Sequence, residues 1–133
     1  MPIRLLHITQ ELEDWIDGEL FQSGGKLAGR TAYEHLEQFF IDFRCDEVVH
    51  ANLRRMMPTQ KGIWKMHPPL IRVYGWVPKP HSFVGVCARL EADTKKDKSL
   101  NDKCRDEVSA FLSHHQVTDI VYGDFTDAFP TSP

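Results

Sequence analysis

"KGIWKMHPPLIRVYGWVPKPHSFVGVCARL", residues 61–90, decides the fold. It contains three β-type runs, about Gly62–His67, Leu70–Val77 and Ser82–Glu91. "HPP" and "PKPHS" separate them and read as turns, because proline cannot donate to a ladder and favours strand boundaries. Connections this short demand antiparallel neighbours. Period-two alternation places Trp64 and Met66 on one face of the first run, and Lys65 and His67 on the other. On the second run Val73, with Ile71 and Gly75, reads as buried, so Arg72, Tyr74 and Trp76 take the outer face. Lys65, His67, Arg72 and Tyr74 then share one surface, and the charged side chains alternate with core residues without disturbing them.

Upstream, "PIRLLHIT" (Pro2–Thr9) reads as an opening strand with Ile3, Leu5 and His7 on one face. Thr9 caps a helix whose apolar positions, Leu12, Trp15, Ile16 and Leu20, follow helical spacing. Gly24 and Gly25 end it. A second helix runs from about Thr31 to Phe43 with the stripe Ala32, Leu36, Phe39, Phe40 and Phe43. "DEVVHANLRRMM" reads as a short third helix or an extension of the second. Val49, Leu53 and Met56 would face inward there, leaving Arg54 and Arg55 outside. Downstream of the three runs, "DTKKDKS" reads as a charged loop. A helix near Asn101–His114 follows, with Cys104, Val108, Phe111 and Leu112 inward. "DIVYGDF" (Asp119–Phe125) reads as a last short strand.

This order describes an α+β fold: an N-terminal strand and helical hairpin, then a mainly antiparallel twisted sheet with a closing helix. The helices would segregate to one face of the sheet. At 133 residues and 41% apolar content, a single domain spanning 1–133 is expected, with 126–133 a tail that is mobile or packed onto something. No apolar run approaches the ~18 residues of a membrane span. "MPIRLLHITQELEDW" turns acidic where a signal peptide would be apolar, so a cytoplasmic protein without a membrane partner is expected. Cys45, Cys87 and Cys104 contain no CxxC pair and read as reduced, partly buried thiols.

The net charge of −3 is unevenly distributed. Residues 1–45 carry −4, residues 46–105 carry +6, and residues 106–133 carry −5. A central block of positive charge is what a polyanion-binding surface needs, although such blocks also arise as ordinary solvated faces.

In element order, about residues 2–114, the chain resembles the RelE/HigB toxin superfamily, especially its phage-derived HigB-like branch. That family shows an aromatic–Glu–apolar–Arg motif on one strand and "yRvlY" on the next. An apolar strand, paired lysines and a closing helix follow. The counterparts here are "IWKMH" (Ile63–His67), "IRVYGWV" (Ile71–Val77), "FVGVCARL" (Phe83–Leu90) and "TKK" (Thr94–Lys96). Lys65 stands where the family has glutamate, and His67 where it has arginine. Arg72, Tyr74, Lys95 and Lys96 fall where the pattern places them. Such departures bear on activity more than on scaffold.

The resemblance implies a toxin-type mRNA endonuclease, acting free or on the ribosome, without cofactor, and neutralised by a small antitoxin. Metal-free cleavage by 2′-hydroxyl attack needs a base, an acid and cations on the pentacoordinate phosphate. Lys65, His67 and Arg72 are the candidates for those tasks, because imidazole titrates near neutrality and a guanidinium fork matches two phosphate oxygens. Arg54, Arg55, Tyr74, Lys95 and Lys96 are candidates for RNA contact, with Tyr74 able either to stack on a base or to pack across the strands. Lysine and arginine are equally ordinary on the wet face of an antiparallel sheet. The histidines show no HxxxH or HExxH spacing, so no metal site is expected. The alternative is a non-catalytic phage or prophage accessory protein on the same scaffold, binding a host protein or nucleic acid.

Overall fold

A computed structural model describes residues 4–23, 25–45 and 52–130, and shows an α+β fold. β1 (Leu5–Ile8) leads into α1 (Gln10–Trp15), which continues through a π-turn at Ile16–Leu20 into α2 (Phe21–Ser23). Thr9 caps α1 as its sequence position predicts, its hydroxyl accepting from the Leu12 N–H at 3.3 Å. Leu12, Ile16 and Leu20 are buried. Gly25, at φ +79°, takes the left-handed conformation that ends this segment, whereas Gly24 lies outside the described residues.

A two-residue ribbon, β2 (Lys26–Leu27) and β3 (Arg30–Thr31), precedes α3 (Ala32–Arg44). Thr31 and Glu34 close a reciprocal capping box of 3.0 and 3.1 Å, which satisfies two N–H groups at the helix start. Ala32, Leu36, Phe39 and Phe43 form the buried stripe.

The main sheet has the order β1-β7-β6-β5-β4, built from β4 (Leu53–Arg55), β5 (Ile63–Met66), β6 (Ile71–Trp76) and β7 (Ser82–Leu90). β4 to β7 are antiparallel neighbours, and β1 joins β7 in parallel at residues 82–85. The register shifts between Tyr74 and Gly75, where Tyr74 faces Cys87 but Gly75 faces Gly85. At Gly75 a Cβ would sit 1.8 Å from the Val84 carbonyl oxygen, so only glycine permits the close approach.

After β7 come α4 (Glu91–Lys96), α5 (Ser99–His114) and α6 (Phe125–Ala128).

Five expectations need correction. In β1 the exposed positions are Leu5 and His7, while Leu6 and Ile8 pack on the core. The pairing with β7 sets that phase, and Ile3 lies outside the described residues. Residues 53–55 form β4 rather than a helix, because Leu53, Arg54 and Arg55 pair with Met66, Lys65 and Trp64. Val49 lies outside the described residues. The "DTKK" segment is helical within α4, with Glu91 and Asp93 in its first turn and Lys95 and Lys96 in its last, matching the helix dipole. Asp119–Gly123 forms no strand. It is tied by Val121 N–H to the Val77 carbonyl and by the Trp76 indole N–H to the Asp119 carbonyl.

The fifth correction concerns layers. Helices cover both faces of the sheet. On one side α1, α3 and α6 pack on Trp64, Met66, Ile71, Val73 and Phe83. On the other, α5 brings Cys104, Val108 and Leu112 onto Ile63, Tyr74, Trp76, Val86 and Cys87. Residues 125–129 are packed: Phe129 is 3% exposed and meets Phe43 and Trp64 edge-on at 5.7 and 6.1 Å. Truncating such a ring to alanine costs about 3–5 kcal/mol. Residues 131–133 lie outside the described residues.

Candidate functional site

The face that sequence alternation assigns to solvent is divided in two. At one end Ile63, Trp76 and Val86 lie under α5. At the other end, beyond the first turn of α5, the same alternation presents cations. Arg54 is the register partner of Lys65, and Lys65 of Tyr74, so the three stand in a row across β4, β5 and β6. His67 follows Lys65 by one alternation, and Arg72 precedes Tyr74 by one. A hollow of about 290 Å³ opens here, lined by Arg54, Arg55, Lys65 and His67 from the sheet side and Asn101 and Asp102 from α5.

Lys65 is partly buried, and its ammonium lies 3.5 Å from Asn101 Oδ1. Burial, then the charges of Arg72 and Arg54, lower its pKa below the usual lysine value. His67 is pushed down to about 4, by burial first and then by Arg72, Lys65 and Arg54, with Glu91 opposing. Its imidazole is therefore neutral at pH 7, and its Nε2 is buried without a hydrogen-bond partner. The surrounding cations make a positive potential that His67 registers directly.

The remaining candidates divide by position. Arg72 does not reach freely into the hollow: its guanidinium is ion-paired with Glu91 and donates to the carbonyls of Pro68 at 3.0 Å and Ile71 at 2.7 Å. It ties the β5–β6 turn to the start of α4. Tyr74 is fully buried and donates its hydroxyl to Asn101 Oδ1, so it presents no ring face for a base. Burial pushes its phenol pKa up. Arg55 is partly buried and donates to the Tyr122 carbonyl at 3.3 Å. Lys95 is exposed and pairs with Glu91 at 3.5 Å, the same carboxylate that holds Arg72. Lys96 lines a separate hollow of about 590 Å³ beside β7, together with Trp15, Glu19, Arg89, Asp93 and Asp97.

The structure thus brings Arg54, Arg55, Lys65 and His67 together, with Arg72 close enough to lower the pKa of Lys65 and of His67. It leaves Lys95 and Lys96 on α4.

Comparison with protein-family models, with curated proteins and with solved structures yields no match.

Two residues at the site escape the alternation argument. Asn101 accepts from both Tyr74 and Lys65. Its signal is helical: positions 101, 104, 108 and 112 form one stripe of α5, of which hydropathy marks only the apolar members as inward. Glu91 is separated from Arg72 by 19 residues, and nothing local couples them. Among the described residues, no group of three His, Cys, Asp or Glu side chains converges in a way that can hold a metal ion. Among the same residues, no helix is long and apolar enough to cross a membrane.

Proposed function

We propose that this chain binds RNA, seating a phosphodiester in the hollow beside β4 and β5. One observation carries the reading: Arg54, Arg55, Lys65 and His67 line a single concavity, in which burial first and the neighbouring cations second hold His67 neutral. A protein that holds like charges together at the mouth of a pocket gains electrostatic energy when an anion enters. Asn101 adds an amide beside the cations, able to donate to a phosphate oxygen.

The specific form implied by the resemblance is a toxin-type mRNA endonuclease with an antitoxin partner. The residues support binding better than cleavage. A base and acid working at neutral pH need pKa values near 7, and His67 is held near 4. One feature favours cleavage: the depressed Lys65 ammonium is a better proton donor than an ordinary lysine, and neutral His67 is able to accept a proton from a 2′-hydroxyl. A non-catalytic nucleic-acid binder accounts for the other features, in particular Arg72 held by Glu91 and two carbonyls.

The test uses a labelled single-stranded oligoribonucleotide, the full chain and a salt series in metal-free buffer. Binding should weaken as salt rises, and Lys65→Ala should lower the slope of log K against log salt by about 0.7. A salt-independent affinity, or one untouched by Lys65→Ala, would contradict the proposal. Intact RNA at the end of the assay marks a binder, and fragments ending in 2′,3′-cyclic phosphate mark a nuclease.

A further inference from the structure

We propose that Cys87 and Cys104 form a peroxide-oxidisable dithiol that closes into a disulfide between β7 and α5. The two sulfurs lie 3.3 Å apart, both thiols free and buried, on facing elements of the fold. That spacing is inside ordinary van der Waals contact, and bond formation needs an approach of roughly 1.3 Å from it. The bulge in β7 creates the arrangement. Val86 and Cys87 both join the α5-side cluster, so Cys87 turns onto the helix where strict alternation would have aimed it away. Cys104 meets it from the inward stripe of α5.

Access and activation are also present. Cys87 is 4% exposed and lines a hollow of about 140 Å³, together with Trp15, Arg89 and Glu107. That volume admits a small hydroperoxide. The Arg89 guanidinium lies 3.2 Å from Cys87 Sγ and is itself held by Glu107 at 2.9 Å. The Cys87 S–H donates to Cys104 and lowers its pKa, while that bond, burial and Glu107 push the Cys87 thiol up, so the thiolate of the pair rests on Cys104 with Arg89 favouring it. Cys104 is thereby placed to take the proton of Cys87, the member of the pair that lines the hollow.

The reaction balances with a hydroperoxide as oxidant. The Cys87 sulfur attacks the O–O bond as its proton passes to Cys104, forming a sulfenic acid and expelling an alkoxide (hydroxide from hydrogen peroxide), which takes that proton from Cys104. The Cys104 thiolate left behind then displaces hydroxide from the Cys87 sulfur, forming the S–S bond, and the hydroxide becomes water by taking back from solvent the proton the pair released when it first ionised. Two thiols and one hydroperoxide yield one disulfide, one alcohol or water, and one water.

The experiment treats the full chain with hydrogen peroxide, alkylates it under denaturing conditions and maps the peptides by mass spectrometry. Exposed Cys45 serves as the internal control. The expected result is a Cys87–Cys104 cross-linked peptide and loss of two alkylation sites, in monomeric protein. The midpoint of thermal unfolding should rise by roughly 5–10 °C, and dithiothreitol should reverse both changes. Cys87→Ser should abolish the cross-link and the thermal shift, and Cys45→Ser should leave both intact. Full alkylation of Cys87 and Cys104 after peroxide treatment, or their oxidation to sulfinic acid without a cross-link, would overturn the proposal.

Discussion

Lys65 and Tyr74 are register partners across β5 and β6, and both side chains end on one oxygen, Oδ1 of Asn101. That oxygen is the joint between the sheet and the first turn of α5. It satisfies a buried phenol and steadies a half-buried ammonium. Asn101→Leu removes it and leaves the Tyr74 hydroxyl buried without a partner. A loss of about 1–3 kcal/mol is expected, measured by urea denaturation. In the double variant Tyr74→Phe with Asn101→Leu, much of that loss should be recovered, because neither partner is then left unsatisfied. Additive losses in the double variant would show that the two residues do not act as a pair.

Arg72 matters to the scaffold before it matters to any ligand. Its ion pair with Glu91 and its two carbonyl contacts join the β5–β6 turn to α4. Arg72→Ala should therefore destabilise the protein by about 1–3 kcal/mol in thermal or chemical melts. Arg72→Lys should recover only part of this, since a point charge cannot reproduce the fork. Loss of RNA binding in Arg72→Ala would accordingly confound folding with function, and Lys65→Ala is the cleaner probe. Undiminished stability in Arg72→Ala would remove the structural role.

His67 makes stability depend on pH with a definite sign. Its folded pKa of about 4 lies below the ordinary value of 6.5, so the unfolded chain binds more protons between those values. Its contribution is fully present above pH 6.5 and is lost as pH falls toward 4. Urea midpoints measured across that window should fall with pH, and His67→Gln should flatten the profile there. A variant with the wild-type slope would assign the dependence to the carboxylates instead.

Much of this was readable in the sequence, for identifiable reasons. The stripes of α1 and α3 and the capping residue Thr9 are local patterns with local causes. The three central strands follow from alternation and proline placement. β4 is hidden in the sequence because Val49, Leu53 and Met56 also fit helical spacing, and pairing with β5 overrides that preference. The two-sided covering of the sheet is hidden for a different reason. Lys65 and Arg72 marked their face as wet, yet Tyr74, Trp76 and Cys87 on that same face are the floor for α5. A face that is cationic at one end and aromatic at the other is half covered. The row of Lys65, His67, Arg72 and Tyr74 on one surface was legible. The engagement of Arg72 by Glu91 and of Tyr74 by Asn101 was not, because both partners are distant in sequence. The cysteine pair was hidden by the bulge at Val86, which no alternation rule anticipates.

The imidazole of His67 reports on the hollow from inside it. The most direct test is an NMR titration of the His67 ring protons, with and without a single-stranded oligoribonucleotide. Alone, the ring should titrate near pH 4. With RNA bound, the phosphate should offset the fields of Arg72, Lys65 and Arg54, and the midpoint should move up by a unit or more, about 1.4 kcal/mol or greater. An unchanged His67 midpoint in protein saturated with RNA would place the nucleic acid elsewhere and contradict the account.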